Sequence, residues 1–308
     1  MQQSSSEKPK EVSIILAEMR AEVDSTAFCY SKREGLFRAV LKASFVRSFD
    51  YVEHLHLGVS GKNAEGFFAC APLRQCCEDL IALKYLSQLT RSQRDEVVTN
   101  LMIIGTSQAI YKQTAFFRRN HPFQPILSDN FASSQVEQAK NALTDIGRQA
   151  ALWRTEKKLP PIEQMARNVD LGELYEFLYA ATSEIVHFNV RIALRSGWGD
   201  LTSQAWKFSS SNFSRYYLAF AKYYGIYVLI QFSRTFGKVL SLSKGFRTSV
   251  NALELWLQFQ FRWPEIVTFE EMNQPLPDNI ILQALLHMKH KERVKALEKR
   301  HRERNKGI

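Results

Sequence analysis

Two groups of polar residues are spaced so that they could do chemistry from helices. Arg74 and Glu78 stand four apart within an otherwise apolar run, Leu73, Cys76, Cys77, Leu80 and Ile81, and that spacing puts both charges on one helix face, where burial would demand partners. Tyr179, Ser183, His187 and Arg191 follow one another at four-residue steps beside Leu174, Leu178, Ile185 and Val186. A helix over 171–195 would carry them as one polar stripe. If the two helices face each other, Arg74, Glu78 and His187 form a semi-buried network in which a carboxylate orients an imidazole that titrates near neutral pH. Proton transfer at an RNA phosphodiester suits such a set, with Arg74 or Arg191 holding the phosphate charge. A polar network that only fixes the register of two helices would use the same residues.

Carboxylate and histidine pairs offer other chemistry. Di-iron helical bundles use Glu-x-x-His twice and add glutamates from two further helices; Glu53/His56 and Glu184/His187 have that spacing, and Glu22 and Glu78 could complete the set. Glu298/His301 repeats the spacing in a basic segment where a core metal site has no place, so charged helices generate it readily and no metal or cofactor is expected. Helical ribonucleases of the HEPN class place an Arg a few residues ahead of a His. Here Arg47 and His54, with six residues between them, have that order, a match that composition alone accounts for. Phosphate cradles and nucleophile elbows need glycines at fixed spacing, and the chain has no G-x-G-x-x-G, G-x-x-x-x-G-K-[ST] or G-x-S-x-G, which removes most nucleotide-dependent enzymes and α/β-hydrolases. Cys29, Cys70, Cys76 and Cys77 contain no C-x-x-C pair and are expected as reduced, mostly buried thiols.

Charge points to a partner. The chain carries 41 Lys and Arg against 31 Asp and Glu, a net of +10. Lys289, Lys291, Arg293, Lys295, Lys299, Arg300, Arg302, Arg304 and Lys306 face only Glu292, Glu298 and Glu303 within 287–308, so most of the surplus sits in the last few turns. Such a segment can neutralise RNA or DNA phosphates, or an acidic protein, by counterion release.

The elements that must position these residues read as helices. Of 308 residues, 45% are hydrophobic and 23% charged, with 13 Gly and 9 Pro, a globular composition with few turns. Leu36, Phe37, Val40, Leu41, Phe45, Phe49, Val52 and Leu55 recur at three and four residues, the period of an amphipathic helix. Thr90/Gln93, Asp170/Glu173 and Thr268/Glu271 have capping-box spacing. Helices are predicted at 11–23, 27–57, 64–89, 91–118, 131–152, 171–195, 211–241, 248–261, 268–273 and 279–302, with Pro72 in the first turn of the third, no strands, and 196–211 as the clearest loop. The aromatic-rich 211–241 reads as a central helix with tyrosines at its rim rather than as a base-stacking platform. The fold class is therefore all-α, a multi-helix bundle over 11–280 with a peripheral helical hairpin at 119–170, after a disordered 1–10 and before a basic C-terminal helix at 281–308. Tyr216 to Val239 is interrupted by Lys222, Gln231 and Arg234, so no membrane span is expected. The polar opening from Met1 to Lys10 carries no apolar secretory core, and a cytoplasmic protein is expected.

Two blocks carry a resemblance. Leu73-Arg74-Gln75-Cys76-Cys77-Glu78-Asp79-Leu80-Ile81-Ala82-Leu83-Lys84-Tyr85-Leu86 and Tyr179-Ala180-Ala181-Thr182-Ser183-Glu184-Ile185-Val186-His187 resemble the two recognisable blocks of a largely bacterial, all-helical domain family of unknown function. That family has an Arg and a Glu four residues apart, then a Ser four before a His. The resemblance covers about 35–240 and implies a helical fold, a prokaryotic cytosolic setting and a looser similarity to helical defence and toxin proteins. It singles out Arg74, Glu78, Ser183 and His187, the residues chosen above; Phe188 and Asn189 depart from the small residues that would follow the His. The expected function is a nucleic-acid- or partner-binding module, possible in anti-phage defence. The alternatives are an RNA-cleaving HEPN-like enzyme using His187 with Arg74 or Arg191, and a di-iron carboxylate protein.

Overall fold

The computed structural model describes residues 10–25, 28–31, 33–59, 65–126, 133–153, 159–187, 189–200 and 205–266. Along this chain run α1 (Val12–Val23), α2 (Leu36–Glu53), a π-helical turn (His54–Gly58), α3 (Glu65–Leu86), α4 (Arg91–Asn120), α5 (Ser133–Gln149), α6 (Ile162–Asn168), α7 (Gly172–Val186), α8 (Val190–Arg195), a hairpin of β1 (Gly197–Asp200) and β2 (Ala205–Phe208), α9 (Ser214–Phe236) and α10 (Lys244–Gln258). The helices set at 268–273 and 279–302, and the basic residues from Lys289 to Lys306, lie outside the described residues.

Burial explains the arrangement. Phe37, Leu41, Phe45, Phe49 and Val52 all turn inward from α2, as their spacing predicts. Helix α9 sits at the centre, with Leu218, Ala221, Ile226, Leu229 and Phe232 buried around its circumference and α2, α3 and α10 packed against it. Leu73, Cys76, Cys77, Leu80 and Ile81 give α3 its buried face. The helices α3 and α9 come close at Gly66, whose N–H donates to Ser214 Oγ (3.1 Å); a Cβ there would stand 1.9 Å from the Ser214 carbonyl oxygen. Helices α6 and α7 also pack against α3, and Phe177 of α7 stacks on Phe220 and meets Tyr224 of α9. The α9 tyrosines reach rim acceptors: Tyr223 Oη donates to Gln260 Oε1 and Tyr224 Oη to the Pro264 carbonyl.

Several boundaries differ from those predicted. Thr90 and Gln93 make the capping box of α4, but Asp170 does not cap α7. It takes a left-handed conformation (φ 55°) at the end of α6, where Leu171 N–H bonds back to the Ala166 carbonyl, and Leu171 starts α7. Helix α2 begins at Leu36 rather than near 27 because Gly35 turns the chain at φ 84°. Ser243 accepts the Phe246 N–H and so starts α10 at Lys244, ahead of the predicted 248. Pro72 lies inside α3; the residue is exposed, and the carbonyl deprived of its N–H can turn to water. The loop predicted at 196–211 contains the two antiparallel strands, Gly197 opposite Phe208 and Asp200 opposite Ala205. Four-residue strands are too short to show a period of two. Within 119–170, Ala139, Leu143 and Ile146 of α5 are buried in the same core cluster as Trp153, Met165, Ala166 and Val169.

No helix among the described residues is long and apolar enough to cross a membrane.

Candidate functional site

Arg74 lies on the edge of α3 that faces α7. Its neighbours Leu73, Cys76 and Cys77 are buried, and their packing directs its half-buried side chain across to the second helix. Arg74 Nε donates to Glu78 Oε1 at 2.7 Å, the contact that four-residue spacing predicts. The guanidinium lies over the ring of Tyr179, with Cζ 4.5 Å from the centroid. Tyr175, one turn earlier on α7, packs against Tyr179 at 5.3 Å. Arg74 Nη1 stands 3.4 Å from His187 Nε2.

The helix carrying the polar stripe is shorter than predicted. Its last residue is Val186, and His187 caps it in an extended conformation, donating its N–H to the Ser183 carbonyl at 2.9 Å. Continuous four-residue steps through Arg191 therefore do not exist. His187 nevertheless meets Arg74, because the break turns it out at the end of α7 while α3 passes alongside. Ser183 is drawn in through its backbone. Arg191 belongs to α8, and its side chain lies outside the described residues.

Electrostatics favour a permanently charged Arg74. Burial works against the guanidinium, but the Glu78 hydrogen bond and charge outweigh it, so its pKa moves above the usual arginine value. Burial first, and the Glu78 charge second, raise the Tyr175 phenol. A guanidinium has only donors, so its contact with His187 is a hydrogen bond only when Nε2 is unprotonated. The residues around the group reach solvent: His187 is exposed, as are Tyr179, Val186 and Val190. The arrangement is a surface site rather than an enclosed pocket. It holds a planar cation lying over an aromatic ring, with an imidazole beside it.

Other predicted combinations are not assembled. Glu53, half of the first Glu-x-x-His pair, takes Arg20 Nε at 3.0 Å; Glu22 accepts Ser243 N–H at the start of α10; Glu78 holds Arg74. Among the described residues no three His, Cys, Asp or Glu side chains could hold one metal ion, so the four-helix carboxylate set does not form there. Arg47 pairs with Asp79, and His54 is exposed. Cys70, Cys76 and Cys77 are buried and free, and Cys29 is exposed; burial pushes the Cys70 and Cys77 thiols up to about 12 and the Cys76 thiol to about 11. Tyr175 is the member of the site that the sequence argument missed. Its place four residues before Tyr179 could have found it, had the stripe been extended toward the start of the helix.

Residues 39–200, more than half of the chain, match a family described as of unknown function (DUF5677). The match includes both sequence blocks and stops before α9. No curated protein and no solved structure matches the chain.

Proposed function

The chain belongs to this family of unknown function, and from that premise we propose that it is a nucleic-acid-binding helical module whose recognition surface lies where α3 meets α7. The observation that carries the reading is the Arg74 guanidinium, fixed by Glu78 on one edge and by the Tyr179 ring below, with His187 3.4 Å from its Nη1 at the surface. A guanidinium held this way can turn its remaining donors to a phosphate with little ordering cost. Tyr179, 38% exposed, adds aromatic surface against which a base could pack. The tail residues Lys289, Lys291, Arg293, Lys295, Lys299, Arg300, Arg302 and Arg304 add attraction for RNA, DNA or an acidic protein that depends on salt. A cytoplasmic setting and a part in prokaryotic anti-phage defence belong to the same proposal on the resemblance of the two blocks alone.

Fluorescence anisotropy of labelled single-stranded RNA and DNA, titrated with the full chain over a salt series, tests it. Arg74→Gln is expected to weaken binding by about tenfold. Replacing Lys289, Lys291, Arg293 and Lys295 by Gln is expected to flatten the salt dependence. Unchanged affinity in the first variant removes the α3–α7 surface from the reading.

RNA cleavage is the second reading, favoured by the exposed position of His187 beside Arg74. His187 Nε2 would take the proton of a 2′-hydroxyl, whose oxygen attacks the adjacent phosphorus; the imidazolium would then return the proton to the departing 5′-oxygen as Arg74 neutralises the phosphate charge. Arg74 Nη1 stands 3.4 Å from Nε2 in the resting protein, so the guanidinium must first move to the phosphate. Binding without cleavage therefore fits the resting geometry better. Equal cleavage by wild type and His187→Ala, with matched folding by circular dichroism, removes the enzyme.

A further inference from the structure

We propose that a second surface, where the turn before α2 meets the start of α4, binds a phosphate group through Arg91 and Arg94. Behind its Thr90 cap, α4 places Arg91 and Arg94 three apart on one face. That face meets the segment leading into α2. Arg91 Nη2 donates to the Arg33 carbonyl at 2.9 Å, and Arg94 lies over the Phe37 ring with Cζ 4.9 Å from the centroid. Phe37 is itself buried, which gives Arg94 a rigid support.

The nearby carboxylates are engaged elsewhere. Glu34 takes Lys42 Nζ at 2.6 Å and Arg38 Nε at 3.5 Å. Asp95 Oδ1 accepts the Phe37 N–H at 2.8 Å, and Gly35, at φ +84°, lets the chain pass so near that a Cβ would stand 2.3 Å from Asp95 Oδ2. Among the described residues no carboxylate lies within ion-pair distance of Arg33, Arg91 or Arg94, and Arg94 Nε is buried with no acceptor. Arg20, Arg47 and Arg74 each have at least one carboxylate. Arg91 and Arg94 are thus set side by side by packing and by a backbone contact to Arg33, with no counter-charge of their own.

Such a set is completed by an anion that can accept several donors at once. Phosphate has the charge and the oxygens, and arginine forks match it. The group could come from a polynucleotide backbone or from a free phosphate compound, with the same contacts in both cases.

Thermal unfolding of the full chain in inorganic pyrophosphate, against sodium chloride at equal ionic strength, is the test. The measurements are made with Arg74→Gln in every chain, so that phosphate held at the α3–α7 surface does not enter and the two readings stay separable. Arg74→Gln alone should gain about 4 °C when the site is saturated. In that background the double variant Arg91→Gln/Arg94→Gln should gain nothing, and the single variant Arg91→Gln, at an exposed residue outside the core, should lose at least half of the gain. No gain in Arg74→Gln alone, or a full gain in the double variant, overturns the proposal. Oligouridylate binding then identifies the source. A log–log salt slope smaller by about 1.4 in the double variant, as expected when two phosphates of a single strand are no longer neutralised, assigns the site to a polynucleotide; an unchanged slope with the pyrophosphate response intact assigns it to a free phosphate compound.

Discussion

Glu53/His56 and Glu184/His187 share one sequence spacing, and each histidine lies near a cation, yet the protein uses them in opposite ways. His56 belongs to the π-helical turn and is packed edge-on against Trp256 at 6.3 Å. Its Nε2 is buried without a partner. Burial first, and the Lys222 charge second, push it down to about 4, so it stays neutral in ordinary conditions. His187, at the open end of α7, meets Arg74 in solvent. The glutamates diverge as well. Glu53 is tied to Arg20, whereas Glu184 lines a hollow with Ile185, Ile192 and Tyr216. Access, rather than residue type or spacing, separates a histidine that serves packing from one available to a ligand.

The largest expected effect comes from the buried member. Unfolded His56 gains a proton as pH falls below about 6.5, whereas the folded protein resists until about 4. The unfolded chain therefore binds more protons across this window, and stability is lost as pH drops through it, by about 3 kcal/mol from this one group. Urea unfolding at several pH values should show that share of the loss disappear in His56→Phe; an unchanged slope would mean that the burial of His56 does not govern its protonation.

At the exposed site the readout shifts from stability to binding. Arg74→Gln should cost about 1.4 kcal/mol of RNA affinity, a factor of ten, while His187→Ala changes unfolding free energy by less than about 0.5 kcal/mol. A large stability loss in His187→Ala would erase the contrast between the two histidines. The glutamates sharpen it further. Glu53→Gln should destabilise the fold by about 1 kcal/mol, because Arg20 also gathers Asp50 and Asp24 around the same corner. Glu78→Gln should cost only about 0.5 kcal/mol, as expected of a partly exposed pair within one helix, and loosen RNA binding modestly by freeing Arg74.

Much of the helical framework was legible because its causes are local. The apolar spacing of Phe37, Leu41, Phe45, Phe49 and Val52, and the Thr90–Gln93 cap, act within a few residues and need no partner element. Arg74 with Glu78 was legible for the same reason. The end of α7 at Val186 was not, since nothing in the periodicity from Tyr179 to Arg191 marks a break. Pro72 misled in the other direction, being tolerated within α3 on an exposed face. That Arg91 and Arg94 lack a counter-charge has no sequence signature, because their supports, the Arg33 carbonyl and the Phe37 ring, are distant in the chain and only the meeting of α2 with α4 brings them there.

The sequence alone determined the all-helical class, the inward face of α2 and the pairing of Arg74 with Glu78, because hydrogen bonding, side-chain periodicity and four-residue contacts are settled within a helix. Tertiary structure decided which Glu-x-x-His histidine is turned inward and which is open, that His187 reaches Arg74 after its helix has ended, and that Arg91 and Arg94 share a surface without a counter-charge. Those outcomes depend on which helices pack side by side, and burial and electrostatic environment are properties of that packing rather than of any one segment.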